Sequence, residues 1–326
     1  MKALQFTKQD LPEVAELPIP DIADDEVLIA ARSVGVCHSD IDLLEGRYII
    51  PFSYPIIPGH EWAGEVVKVG SRVTDFAPGD RVVGECVIGD DHFGFSISGA
   101  IADFFVAKPA WLHKLPDTLS WTMGALVEPF SVAYYALVRA GNVNASDTLV
   151  VLGAGPVGLA VTAAAAAMGA VTVVVEPDGG RRDIAVQLGA AHAVHPDDID
   201  ALLADITGGR GADVVVEVSG RPAVMARALE LVAFKGRVAY VGINVGGDAP
   251  AKLGLIQSKE LKITGSIGSP GVWPDTLRFL ANSGIDMTPL VTQHFDVEHA
   301  LDALDAAHHP QTTIKAHVEL SATLPA

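Results

Sequence analysis

The sequence predicts a two-domain α/β protein in which a β-rich domain, built from both ends of the chain, is interrupted by a domain with a doubly wound parallel sheet. Three observations predict it. The first third is a series of short Val-, Ile- and Phe-rich runs parted by turn residues. From Asp147 onward, strand-like and helix-like segments alternate. The strand-like runs of that second part are continuously apolar, as burial on both faces of a parallel sheet requires.

In order, Val27–Val34, Gly64–Val69, Arg81–Val87 and Ala102–Ala107 read as strands, punctuated by Pro58-Gly59 and Pro78-Gly79-Asp80. Glu128–Ala140 reads as a helix with Val132, Tyr135, Ala136 and Arg139 on one face. Strand-like Thr148–Leu152, Val171–Glu176, Asp213–Val218 and Gly236–Val241 then alternate with helix-like Pro156–Met168, Arg181–Leu188 and Arg221–Val232. Such alternation implies right-handed βαβ units. After Ser266 the pattern turns irregular and closes with a strand near Ile314–Leu320. The expected boundaries are 1–127 with 269–326 for the β-rich domain and 128–268 for the parallel-sheet domain.

Composition narrows the function classes. With 49% hydrophobic and 19% charged residues, 326 residues can bury a sizeable core. A net charge of −18 leaves no basic face for nucleic acid. Two cysteines, Cys37 and Cys86, are too few for a disulfide framework, so a reducing cytoplasm is expected. The opening residues show no apolar stretch of signal-peptide length. Residues Thr148–Val175 carry no charge, yet Gly153, Gly155, Pro156, Gly158 and Gly169 break the run, so strand, turn, helix and strand are expected in place of a membrane span.

Gly153-Ala154-Gly155-Pro156-Val157-Gly158 follows a predicted strand and opens a predicted helix. In that place, G-x-G-x-x-G is a dinucleotide signature: Gly153 permits the turn, Gly155 admits the pyrophosphate and Gly158 lets helix and strand approach. Helix N–H groups would face the phosphates. Glu176, about 20 residues on, suits the ribose hydroxyls and would repel a 2′-phosphate, which favours NAD. Arg181 and Arg182 follow closely and keep NADP open.

Cys37, His60 and Glu128, with Glu61 beside His60, supply the thiolate, imidazole and carboxylate of a catalytic zinc site, whose fourth position is left to water or substrate. A closed structural site would need four protein ligands. No G-x-S-x-G turn follows a strand, which excludes a hydrolase of that kind.

Gly59-His60-Glu61-Trp62-Ala63-Gly64-Glu65-Val66-Val67, then Val69-Gly70 and Pro78-Gly79-Asp80-Arg81-Val82, resemble the zinc-dependent medium-chain dehydrogenase/reductase superfamily. Lys259-Glu260-Leu261-Lys262-Ile263 with Gly265-Ser266 resembles a later segment of it. Glu128-Pro129-Phe130-Ser131-Val132 is similar to the sorbitol and threonine dehydrogenase branch.

The resemblance implies a GroES-like catalytic domain and a Rossmann domain, one zinc per chain, and hydride transfer between a secondary alcohol, polyol or cyclitol and NAD or NADP. It implies that Cys37 and His60 bind zinc, with Glu128 as a direct or water-mediated ligand and Glu61 able to approach the metal. Ser39 would take the substrate proton and Asp40 would orient His60. His38, Ser219, Val241, Ile243, Ser266 and Gly268 would contact the cofactor. A homodimer or homotetramer is expected by the same analogy.

Two departures stand out. The four-cysteine lobe of a structural zinc is missing between Val82 and Gly99, leaving Cys86 to pack, and Asp42 replaces the histidine that ends the proton relay in many relatives. The short Glu85–Ser98 loop with Asp90, Asp91, His92, Phe93 and Phe95, together with Tyr48, Phe52 and Tyr54, is expected near the zinc cleft. Two alternatives are a zinc-free quinone or enoyl reductase using NADPH and a non-catalytic dinucleotide-binding protein.

Overall fold

The computed structural model describes residues 1–48, 50–244 and 246–324. The chain forms two compact units, Met1–Glu128 with Trp273–Asn282 and Val291–Ala326, and Pro129–Val272 with Ser283–Leu290. No helix among the described residues is long and apolar enough to cross a membrane.

The first unit is built on a sheet ordered Val291–Asp296, Lys315–Glu319, Val27–Val36, Glu61–Val69, Arg81–Gly84, Leu112–Lys114, with Phe104–Ala107 also pairing Val27–Val36. Strand Val27–Val36 sits in the middle and is buried almost throughout, which its β-branched and small residues permit. Behind it, Leu4, Phe6, Ile29, Ile41, Phe93, Phe95, Phe105 and Val318 form one apolar cluster. The predicted strand Arg81–Val87 stops at Gly84, because the chain turns there into a small hairpin, Val87–Ile88 against Asp91–His92.

The second unit holds six parallel strands in the order His192–Val194, Val171–Val175, Thr148–Leu152, Ala212–Glu217, Val232–Tyr240, Lys262–Gly265. The first strand of this unit in the chain therefore lies between the second and the fourth. Strand order reverses at that point, and an open α/β sheet there leaves a crevice at the strands' carboxyl ends. Helix Pro156–Ala167 buries Gly158 through Ala165. The uncharged run is thus a buried strand–helix–strand unit.

The irregular pattern expected after Ser266 is corrected. Trp273–Ser283 and Ala300–His308 are helices, and Val291–Asp296 is a strand. Each helix buries only a narrow stripe, Trp273, Thr276, Leu277 and Leu280 in one and Ala300, Ala303 and Leu304 in the other. The buried positions of the first, at i, i+3, i+4 and i+7, do carry the helical period, so this helix was legible in the sequence and was overlooked.

Candidate functional site

Strand register assembles the site in the first unit. Strand Val27–Val36 places Gly35 opposite Glu61 on one side and His317 on the other. A Cβ at Gly35 would lie 2.4 Å from Glu61 Oε2 and 3.3 Å from His317 Nε2, so only glycine leaves room for both side chains.

Cys37 follows the strand and caps the helix His38–Leu44. The fully buried Asp40 joins this turn to the Pro58-Gly59-His60 segment. Its Oδ2 accepts the Cys37 N–H at 2.9 Å, and its Oδ1 accepts the Gly59 N–H at 3.2 Å. Asp40 Oδ1 also lies 3.5 Å from His60 Nδ1. Nε2 is then the ring nitrogen left to face a metal, and Ser39 Oγ lies 3.4 Å from it.

One ligand atom each from Cys37, His60 and Glu61 lie within 4.8 Å of one another. This donor set of thiol, imidazole and carboxylate fits zinc. Burial disfavours a charged His60, yet Asp40 and Cys37 hold its pKa well above the usual histidine value. Glu128 lies in the first turn of helix Val127–Arg139. Burial, with the Glu61 and Asp40 charges, pushes its carboxyl up to about 7 against the pull of His60 and Lys315.

Sequence reasoning missed Lys315 and His317. Lys315 is 3% exposed, and its Nζ lies 2.7 Å from both oxygens of Glu61 and 3.3 Å from Val36 O. Burial works against its charge, but Glu61, Cys37 and Glu128 hold its pKa above the ordinary lysine value. Lys315, His317 and Glu319 alternate along one strand. That alternation was the available signal, but alone it reads as a solvated face.

His317 is fully buried, with Nδ1 2.9 Å from Ser33 Oγ and no partner for Nε2. Burial first, then Lys315, pushes it down to about 3 from 6.5. The unfolded chain therefore binds a proton between these values that the folded chain refuses, and stability falls as pH drops through that window. Replacing His317 by Gln is expected to remove about 3 kcal/mol of the stability difference between pH 7 and pH 4. Urea midpoints for both proteins at the two pH values check this; parallel pH profiles would refute it.

The short loop folds inward. Phe95 lies with its ring 4.9 Å from the His60 ring, and Phe93 packs on Trp62 and Phe105. Asp90 and Asp91 stay exposed, and the Tyr54 hydroxyl is tied to Leu43 O. Cys86 is outside the metal group, and burial pushes its thiol up to about 12. His38 is mostly exposed beside Asp42, and Asp42 is engaged by Arg47.

In the second unit Gly153 has φ 111°, open to glycine alone, and a Cβ on Gly158 would lie 2.1 Å from Gly153 O. Gly155 caps the helix, and Pro156 and Val157 open it. Glu176 Oε2 accepts the Ala154 N–H at 2.8 Å and Oε1 the Asp178 N–H at 3.0 Å, which leaves each oxygen a further lone pair. Arg181 reaches the same loop, Nη1 lying 3.4 Å from Ala154 O.

Ser219 follows the neighbouring strand and donates to the buried Glu217 through N and Oγ. Val241 N donates to Glu217 O, and Gly242 abuts Gly220. Ile243 is 55% exposed, Ser266 Oγ is buried without a partner, and Gly268 has φ 61°. All of these stand beyond the carboxyl ends of the parallel strands.

Comparison with known proteins agrees with this architecture. Residues 23–117 match the alcohol dehydrogenase GroES-like domain, and 156–282 match the zinc-binding dehydrogenase family. The chain belongs to the zinc-dependent medium-chain dehydrogenase/reductase superfamily, in its sorbitol-dehydrogenase-like branch. It is 34% identical to a sorbitol dehydrogenase of Bacillus subtilis (strain 168), over 94% of this chain and 93% of that one. It is 32% identical to the sorbitol dehydrogenase of Rattus norvegicus, over 89% and 88%. The crystal structure of 2R,3R-butanediol dehydrogenase from Bacillus subtilis superposes with a TM-score of 0.89 at 31% identity, over 98% of this chain and 99% of that one.

Proposed function

We propose that this alcohol/polyol dehydrogenase holds one zinc through Cys37, His60 and Glu61, and oxidises a polyol with NAD in preference to NADP. The observation that carries it is the convergence of Cys37, His60 and Glu61 within 4.8 Å, with Asp40 orienting the histidine. A zinc-free reductase has no use for such a donor set.

In the reaction the alcohol loses its hydroxyl proton, and the hydrogen on the same carbon leaves as hydride to the oxidised nicotinamide, giving a carbonyl and the reduced cofactor. Zinc supplies Lewis acidity that favours negative charge on the substrate oxygen. The chain does the rest. Ser39, beside His60 Nε2, accepts the hydroxyl proton as it passes its own onward through the cofactor ribose to solvent. Asp40 fixes the His60 ring, and Phe95 covers it against water. Lys315 holds the Glu61 carboxylate in place, and Glu128 completes the acidic wall.

The NAD preference rests on Glu176, whose carboxylate is anchored to the phosphate loop where a 2′-phosphate would meet its charge. Arg181, on the same loop, favours the second reading, NADP. The test is steady-state turnover of sorbitol, xylitol and 2,3-butanediol with each cofactor. NAD is expected to be favoured by about tenfold or more, and Glu176→Ala to narrow that ratio by about tenfold, the effect of roughly 1.4 kcal/mol. Equal use of both cofactors by the wild type rules out the preference. Quinone reduction with NADPH, without bound zinc, rules out the whole reading.

A further inference from the structure

His317 Nε2 is a buried ring nitrogen with no hydrogen-bond partner among the described residues. The other ring nitrogen fixes the tautomer. Ser33 Oγ stands 2.9 Å from Nδ1 and 3.3 Å from Glu319 Oε1. A carboxylate can only accept, so Ser33 gives its one proton to Glu319 and takes the Nδ1 proton of His317. Nε2 is then a bare acceptor, and enclosed acceptors ordinarily find a donor.

A donor stands close by. Lys315 and His317 are alternate residues of one strand, so their side chains leave it on the same face. The Lys315 charge acts on the ring, which burial keeps neutral. Glu61 Oε2 and His317 Nε2 flank one point, the Cβ position of Gly35, at 2.4 Å and 3.3 Å. Lys315 Nζ meets both Glu61 oxygens at 2.7 Å, yet the same carboxylate belongs to the group of three metal donors. One buried carboxylate thus faces two cations, the ammonium and a metal ion, and each repels the other.

We propose that His317 is a positioning residue of the metal site, its Nε2 being the second seat of the Lys315 ammonium, taken up when Glu61 turns to the metal. The exchange moves no proton: an N–H of the ammonium leaves a carboxylate oxygen and donates to Nε2. Without that seat, metal binding leaves the buried ammonium with Val36 O alone of its present partners. This inference rests on the assignment of Glu61 to the metal above.

His317→Asn and His317→Gln test it together. The asparagine amide keeps a group beside Ser33 but ends short of Nε2, whereas the glutamine amide reaches the Nε2 position. Zinc affinity is read by competition with a chromophoric chelator, on metal-free protein shown to be folded by circular dichroism. Asparagine is expected to weaken zinc binding about tenfold, as loss of a group that supports a metal ligand does, and glutamine to keep it within about threefold. In wild type with isotope-labelled histidines, zinc is expected to shift the His317 Nε2 resonance as that of a nitrogen gaining a hydrogen bond.

Zinc binding as tight in both variants as in the wild type overturns the role of His317 and leaves the zinc reading standing. So does weakening by glutamine equal to or greater than that by asparagine, because ring packing would then be the cause. An Nε2 resonance that zinc leaves unmoved overturns it as well. A wild type that binds no zinc overturns both readings.

Discussion

Cys37→Ala is expected to purify with no zinc, where the wild type carries about one per chain, and to lose on the order of a thousandfold or more in kcat/KM. Among the described residues the thiol is one of three donors that the fold brings within 4.8 Å, and it is the one thiol in that group. Removing it leaves an imidazole and a carboxylate, too few to hold the ion with an open position. The lost Lewis acidity is worth several kcal/mol of transition-state stabilisation, and each 1.4 kcal/mol is tenfold in rate.

Metal analysis by mass spectrometry on protein purified without added metal checks the first part, and kinetics at saturating NAD the second. The dinucleotide unit is untouched by the change, so binding of reduced cofactor is expected to survive it. Two zincs in the wild type would contradict the folding of the short Glu85–Ser98 loop into a hairpin without ligands. Full zinc in the variant would remove Cys37 from the site.

Lys315→Met is the substitution with the largest expected effect on stability. Lys315 and Glu61 are both almost wholly enclosed, and their side chains meet at 2.7 Å. Methionine fills much of the lysine stem but leaves the carboxylate buried and uncompensated. Breaking one side of such a pair costs about 3–5 kcal/mol.

The cost is expected in full in protein stripped of metal and in smaller measure with zinc bound, because the ion then neutralises Glu61. Adding Glu61→Gln to the stripped variant is expected to restore much of the loss, since a neutral amide needs no cation. Denaturant midpoints for the two singles and the double, with and without zinc, give the coupling directly. A Lys315→Met protein as stable as the wild type in the stripped state would mean that the pair contributes nothing.

Both expectations involve residues that differ in how plainly the chain announces them. The dinucleotide loop is a local device: Gly153, Gly155 and Gly158 act within six residues of one another, and a strand-to-helix turn needs them in that spacing. The continuous apolar runs Leu149–Leu152 and Val214–Val216 similarly state that both faces of their sheet are covered. The donor types Cys37, His60 and Glu61 could be picked out because thiol, imidazole and carboxylate have few other common purposes together.

What the chain alone left undecided are the things that arise when distant segments meet. The helix Ala300–His308 buries only Ala300, Ala303 and Leu304, a weak pattern, whereas Trp273–Ser283 carries a plain helical period that the sequence reading overlooked. Glu61 and Glu128 both read as metal residues from their type, and the fold brings a carboxylate oxygen of Glu61 within 4.8 Å of the other two donor atoms. Tyr54 and Tyr48 read alike, and only the fold shows that the Tyr54 hydroxyl donates to Leu43 O.

Lys315 makes the point most sharply. Some 250 positions separate it from Glu61, and polar residues at every second place in Lys315–Glu319 would ordinarily mean water on that face. By itself the sequence determined which chemical groups and which local turns were available. The pairing of Val27–Val36 with one strand on each side decided which of those groups share a dry pocket, because antiparallel register, a property of two separated segments at once, sets the neighbours of each side chain.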